Sequence, residues 1–80
     1  MIIYVKNDNP LNVRIWTVRD ENNGESIVLG PASFDPEETK GPVTIVASGA
    51  GYGRVGYKHS LTDTWSISSF LNEGETVNMY

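Results

Sequence analysis

Leu11-Asn12-Val13-Arg14-Ile15-Trp16-Thr17-Val18-Arg19 is the longest stretch of regular alternation in the chain. Leu11, Val13, Ile15 and Thr17 share one face of an extended chain, and Asn12, Arg14, Trp16 and Val18 share the other. A period of two marks a half-buried strand, whereas a helix would repeat its apolar face every ~3.6 residues. Counting apolar residues assigns Val13 and Ile15 to the core. Trp16 then lies on the polar face, either as a lid over a second small core or as an exposed aromatic.

The sequence on either side repeats the pattern in shorter pieces. Ile2-Ile3-Tyr4-Val5 is rich in β-branched and aromatic residues and reads as a strand, ended by Asn7-Asp8-Asn9-Pro10. After the long strand, Asp20 to Glu25 forms a turn that contains Asn23-Gly24, the dipeptide preferred in type I′ hairpins. Ile27 to Leu29 is a short strand closed by Gly30-Pro31. Asp35-Pro36-Glu37-Glu38 has the form of a single helical turn within Ala32 to Lys40, with Asp35 as N-cap and Pro36 at the first helical position. Val43 to Ala47, Arg54 to Lys58, Thr64 to Phe70 and Glu75 to Tyr80 are further strands, with Asn72-Glu73-Gly74 as a hairpin turn between the last two.

About seven strands with turn signals roughly every 8–12 residues predict an all-β fold, a small antiparallel β-sandwich or partly open barrel. With 80 residues the chain is a single β domain, 1–80. The expected core is Ile3, Val5, Val13, Ile15, Ile27, Leu29, Val43, Ile45, Val55, Tyr57, Trp65, Ile67, Val77 and Met79. A domain this small buries only about 60% of its unfolded surface, so packing, short loops or an oligomer must supply its stability.

Composition excludes several activities. The chain has no cysteine and one histidine, His59, which removes disulfides, thiolate sites and zinc sites of the usual kind. The formal charge is −4 and the basic residues are scattered, which argues against nucleic acid as a partner. No apolar run approaches the roughly 20 residues of a membrane span. Met1 to Val5 is too short for a signal-peptide core, so the expectation is a soluble chain whose compartment is undefined.

Ser48-Gly49-Ala50-Gly51-Tyr52-Gly53-Arg54-Val55-Gly56 holds half of the chain's 8 glycines. Gly51 to Gly56 matches G-x-G-x-x-G, and it also resembles the glycine loop of a protein kinase. A dinucleotide site needs this motif to open a helix, and a kinase needs a much longer chain. Here strand-like sequence follows, so the stretch reads as a turn, a bulge or the floor of a groove. Tyr52 cannot bury easily among glycines. Tyr52, Gly51, Gly53 and Arg54, together with Trp16, are the candidate binding residues.

His59, Ser60 and Asp63 are the residue types of a hydrolase triad, but adjacent side chains on a strand point apart, and a solvated turn is the simpler reading. Glu37-Glu38 and Glu73 with Glu75 are carboxylate pairs that general acid–base chemistry could use only across a substrate. Asn22-Asn23-Gly24-Glu25-Ser26 resembles part of the βγ-crystallin calcium motif, with Ile27 where its final Ser belongs, and Thr62 to Ser66 is a weaker echo. No constellation joins a nucleophile to a base or builds a phosphate cradle, so no catalytic residue, metal site or cofactor is assigned.

Ile3-Tyr4-Val5-Lys6-Asn7 leading into Leu11 to Ile15, then Gly24 and Gly30-Pro31, resembles the opening of aegerolysin-type β-sandwich proteins. Val46-Ala47-Ser48-Gly49, Gly53 to Tyr57 and Trp65-Ser66-Ile67 are similar to that family's middle. Gly53-Arg54-Val55-Gly56 stands where the family carries a Gly-Thr-Glu-Gly-like signature, and this chain is shorter. The resemblance implies a small sandwich that binds membrane lipids.

Three functions are therefore open, none of them enzymatic. The first is a small acidic protein-binding or inhibitory module whose charge suits a basic protein partner. The second is a lipid- or carbohydrate-surface binder of the aegerolysin kind. The third is a structural subunit of a homo-oligomer, since the edge strands of so small a domain invite pairing.

Overall fold

The computed structural model describes residues 1–80. It contains seven strands and no helix: β1 (Ile2–Asn7), β2 (Arg14–Asp20), β3 (Ser26–Phe34), β4 (Thr39–Thr44), β5 (Val55–His59), β6 (Ser66–Ile67) and β7 (Thr76–Met79). They form a three-stranded sheet, β4-β1-β7, and a four-stranded sheet, β3-β2-β5-β6. The result is the small sandwich expected from the alternation, with one departure from antiparallel order. β7 runs parallel to β1, with Val5 opposite Val77. The Asn72–Gly74 turn therefore does not form a hairpin, because β6 and β7 belong to different sheets.

The core lies between the sheets. Ile3, Val5, Val43, Ile45, Val77 and Met79 come from the smaller sheet and its continuation, and Trp16, Val18, Phe34, Val55 and Tyr57 from the larger. Leu71 completes the cluster. In β2 the faces are opposite to those expected. Trp16 and Val18 are buried, while Val13 is 56% and Ile15 43% exposed. The reason is where the strand begins. β2 starts at Arg14, so Leu11 and Val13 precede it and say nothing about its inner face. Within Arg14–Asp20, Trp16 and Val18 outweigh the single Ile15 in apolar area, and area decides burial. Trp16 is thus a core residue and not a lid or a surface aromatic.

Ile27 and Ile67 are also exposed, Leu29 is only partly buried, and Trp65 lies on the outer face of the larger sheet. There the Arg19 guanidinium stacks on the Trp65 ring at 4.3 Å and Lys58 approaches the same ring at 5.1 Å. Arg19 is opposite Gly56 in the β2–β5 register, and a side chain at Gly56 would meet Arg19 and Glu21. The bare glycine leaves Arg19 room to pass beside Gly56 and reach the indole.

β3 does not end at Gly30-Pro31. It bulges there and continues to Phe34, which is buried. Gly30 has φ +94°, and a Cβ on it would collide with the Trp16 carbonyl oxygen, so glycine is required for the close approach of β3 to β2. The expected helical turn is a tight connection from β3 to β4. Glu38 caps it, with its amide donating to the Asp35 carbonyl (3.0 Å) and its carboxylate accepting from the Asp35 amide (2.8 Å). Glu37 at φ +64° takes the chain out of right-handed geometry after that single turn. At the β2–β3 hairpin the positive φ values fall on Gly24 and Glu25, one residue later than an Asn23-Gly24 centre, and the Ser26 amide closes the turn on the Asn23 carbonyl at 3.2 Å.

Two buried polar residues hold the layers together. Asn7 donates to the carbonyls of Asn12 (3.1 Å) and Asp35 (3.1 Å), and accepts from Trp16 Nε1 (3.0 Å). Asp20 accepts from the amides of Asn22 (3.0 Å) and Val46 (2.7 Å), tying the β2–β3 hairpin to the chain that leaves β4.

Candidate binding surface

The glycine-rich stretch after β4 is a closed loop. The Ser48 amide donates to the Tyr52 carbonyl (2.8 Å), and the Gly51 amide donates to the Ser48 carbonyl (2.9 Å). The Tyr52 amide reaches back to Ser48 Oγ at 3.3 Å. Gly51 takes φ +87° with open space around it, so its role is to supply the left-handed turn. Asn22 anchors the loop from the hairpin below, donating to the carbonyls of Val46 and Tyr52 at 3.1 Å each.

Immediately after the loop, Gly53 and Leu71 form an isolated antiparallel bridge, with both amides donating at 2.8 Å. Both residues face inward and are buried. A Cβ on Gly53 would press on Ile45 Cδ1 at 2.5 Å and Met1 Sδ at 2.6 Å. Gly53 is therefore a packing residue that lets Ile45 and Met1 close beneath the bridge, and it offers nothing to a ligand directly.

Because Gly53 and Leu71 point in, their neighbours Tyr52, Arg54 and Phe70 point out. Tyr52 is 42% and Phe70 64% exposed, and their ring centroids lie 5.7 Å apart. The Arg54 guanidinium sits 5.4 Å from the Phe70 ring centre and takes part in none of the ion pairs, which join Lys6 to Glu37 and Arg19 to Glu21 and Glu25. The surface is a packed aromatic pair with a free cation beside it. Of the residues proposed from sequence, Tyr52 and Arg54 come together here, Gly51 and Gly53 shape the backbone, and Trp16 lies in the core. Phe70 was not among them. Its signal was its place beside Leu71: on an extended chain only one of two adjacent apolar residues can face the core.

The remaining sequence candidates have structural partners. His59 Nδ1 accepts from the Leu61 amide at 3.3 Å, and no hydrogen bond joins His59 to Ser60 or Asp63. The His59 ring stands edge-on to Trp16 at 5.4 Å. Glu37 pairs with Lys6 at 2.8 Å, Glu73 accepts from the Ile2 amide at 2.6 Å, and Glu75 accepts from Asn72 Nδ2 at 2.9 Å. In the calcium-like segment, Asn22 spends its amide on the neighbouring loop and Ser26 Oγ donates to the Asn23 carbonyl at 2.6 Å.

At the opposite end of β2, Val13, Arg14, Ile15, His59 and Leu61 line an open groove of about 440 Å³. Leu61 is 90% exposed on its turn.

No protein-family model, curated protein or solved structure gives a significant match to this chain.

Proposed function

We propose that this domain is a non-enzymatic protein-binding module and that Tyr52, Phe70 and Arg54 form its contact surface. The observation that carries the reading is the exposed Tyr52–Phe70 pair with the unpaired Arg54 beside it. Aromatic residues and Arg supply most interface hot spots, because they bury large areas at small entropic cost and keep a polar end for the rim. The pair is already packed in the free domain, so binding orders few side chains. The net charge of −4 favours a basic partner at long range, with the patch providing the close contact.

The test is affinity capture at low salt with the wild-type domain and with a Tyr52→Ala, Phe70→Ala double variant. One partner retained by the wild type, released by salt and lost from the variant supports the reading. A partner held equally by both proteins, or none held by either, removes it. The aegerolysin-like alternative uses the same aromatics on a lipid surface. Co-sedimentation of the wild type with anionic or zwitterionic vesicles, abolished in the double variant, would favour that alternative.

A further inference from the structure

The two sheets differ by one strand. They approach each other at the β3–β4 corner, and matching the strand orders from that corner pairs β4 with β3, β1 with β2 and β7 with β5, so that β6 has no counterpart in the smaller sheet. The vacant position is a groove of about 340 Å³ between β7 and the β5–β6 ribbon, floored by Tyr57, Leu71 and Val77.

The β7 edge bordering the groove is unpaired. The carbonyls of Glu75 and Met79 accept from the Tyr4 and Asp8 amides at 2.9 and 2.8 Å. Strand alternation therefore turns the backbone N–H and C=O groups of Thr76 and Asn78 away from β1 and into the groove. The other three edges are blunted. β3 carries Pro31 and its bulge, β4 carries Pro42 and a register shift, and β6 is two residues long. Proline, bulges and very short strands are how sheets discourage edge pairing, and β7 has no proline, bulge or lysine.

We propose that this groove binds an extended, basic peptide segment of a partner, which adds to β7 as a fourth strand and closes the sandwich over β6. Backbone hydrogen bonds to Thr76 and Asn78 supply the register, and alternate apolar side chains of the peptide face Tyr57 and Leu71. The basic character follows from charge: the groove lining contains Glu75 and no Lys or Arg, in a domain of net charge −4. A second copy of the chain would bring that same negative charge to the seam. This site is separate from the Tyr52 surface and does not depend on it.

The probe is a synthetic peptide of alternating Lys and Val, about eight residues long to match a strand, titrated into the 15N-labelled domain. Saturable shifts are expected at the Thr76 and Asn78 amides, and a Glu-Val peptide of the same length should bind at least about tenfold more weakly. Asn78→Pro removes the groove-facing N–H without touching the β1 ladder and should weaken binding by about tenfold. Asn78→Ala keeps the N–H and should leave binding unchanged. Shifts confined to other regions of the domain, equal binding of the Glu-Val peptide, or equal loss in Asn78→Ala would overturn the proposal. So would concentration-dependent dimerisation through β7 that the peptide cannot compete away. The wild-type amide shifts decide the matter even where Asn78→Pro fails to fold.

Discussion

Trp16 Nε1 donates a 3.0 Å hydrogen bond to Asn7 Oδ1 at the centre of the core, with both side chains fully buried. The largest core side chain carries a polar N–H that burial alone would leave unpaired, and Asn7 supplies its acceptor. The Asn7 amide then donates to the carbonyls of Asn12, in the β1–β2 crossing between the sheets, and Asp35, in the β3–β4 crossing. One asparagine thus satisfies the core tryptophan and holds two connecting segments in place.

Asn7→Ala should cost about 2–4 kcal/mol of unfolding free energy, because it orphans the indole N–H and two carbonyl groups at once. Trp16→Phe leaves only the Asn7 oxygen without its donor, adds a small cavity, and should cost about 1–3 kcal/mol. Urea unfolding of the two single variants and the double variant measures both. Additive costs would show that the bond does not couple the residues.

Gly30→Ala is expected to destabilise by about 3 kcal/mol or more, since it combines an unfavourable φ with a clash against the Trp16 carbonyl on a neighbouring strand. Gly24→Ala has a similar positive φ but open space around it, and should cost only about 1 kcal/mol. Thermal unfolding of the pair separates the steric contribution from the conformational one.

Asp20→Ala removes the acceptor for the Asn22 and Val46 amides and should lower stability by about 2–3 kcal/mol. The effect should be largest locally. Amide hydrogen exchange at Val46 and in the Ser48–Tyr52 loop should quicken more than exchange in β1, since Asp20 anchors the segment that leads into the loop.

Burial raises the Tyr57 hydroxyl above its ordinary pKa of 10.0, with a smaller contribution from Tyr80. The folded state therefore holds this proton more tightly than the unfolded chain. Its contribution to stability is complete below pH 10.0 and is lost as pH rises through the folded value. Lys6, raised above 10.5 by its hydrogen bond and charge interaction with Glu37, acts in the same direction at slightly higher pH. Unfolding free energy measured from neutral pH upward should fall above pH 10.0, and Tyr57→Phe should flatten the first part of that fall. An unchanged alkaline profile in Tyr57→Phe would assign the loss to other groups.

Much of the fold was legible in local sequence. The alternation in Ile2 to Val5 and in Glu75 to Tyr80 placed Ile3, Val5, Val77 and Met79 in the core, where they are. Local sequence leaves the glycine-rich stretch as a turn, a bulge or a groove floor, and the positive φ of Gly51 belongs to a turn. Turn and strand propensities act over a few residues, so a local reading reaches them. In the candidate surface, Tyr52 and Arg54 were accessible to the same reasoning because a side chain beside a turn glycine has little to pack against.

Other features depended on contacts between residues far apart in the chain. The inner face of β2 followed from its start at Arg14 and from the acceptor that Asn7 offers Trp16. The parallel pairing of β7 with β1, the outward position of Trp65 over Arg19, and the meeting of Phe70 with Tyr52 were likewise set by tertiary packing. The strand-and-turn grammar and the choice of an all-β sandwich follow from local sequence, since backbone preference and a period of two are local properties. Tertiary structure alone decided which face of each strand is buried, which strand remains an open edge, and which aromatics meet at the surface. Those outcomes rest on area and hydrogen bonds shared between segments, and no window of the chain contains both partners.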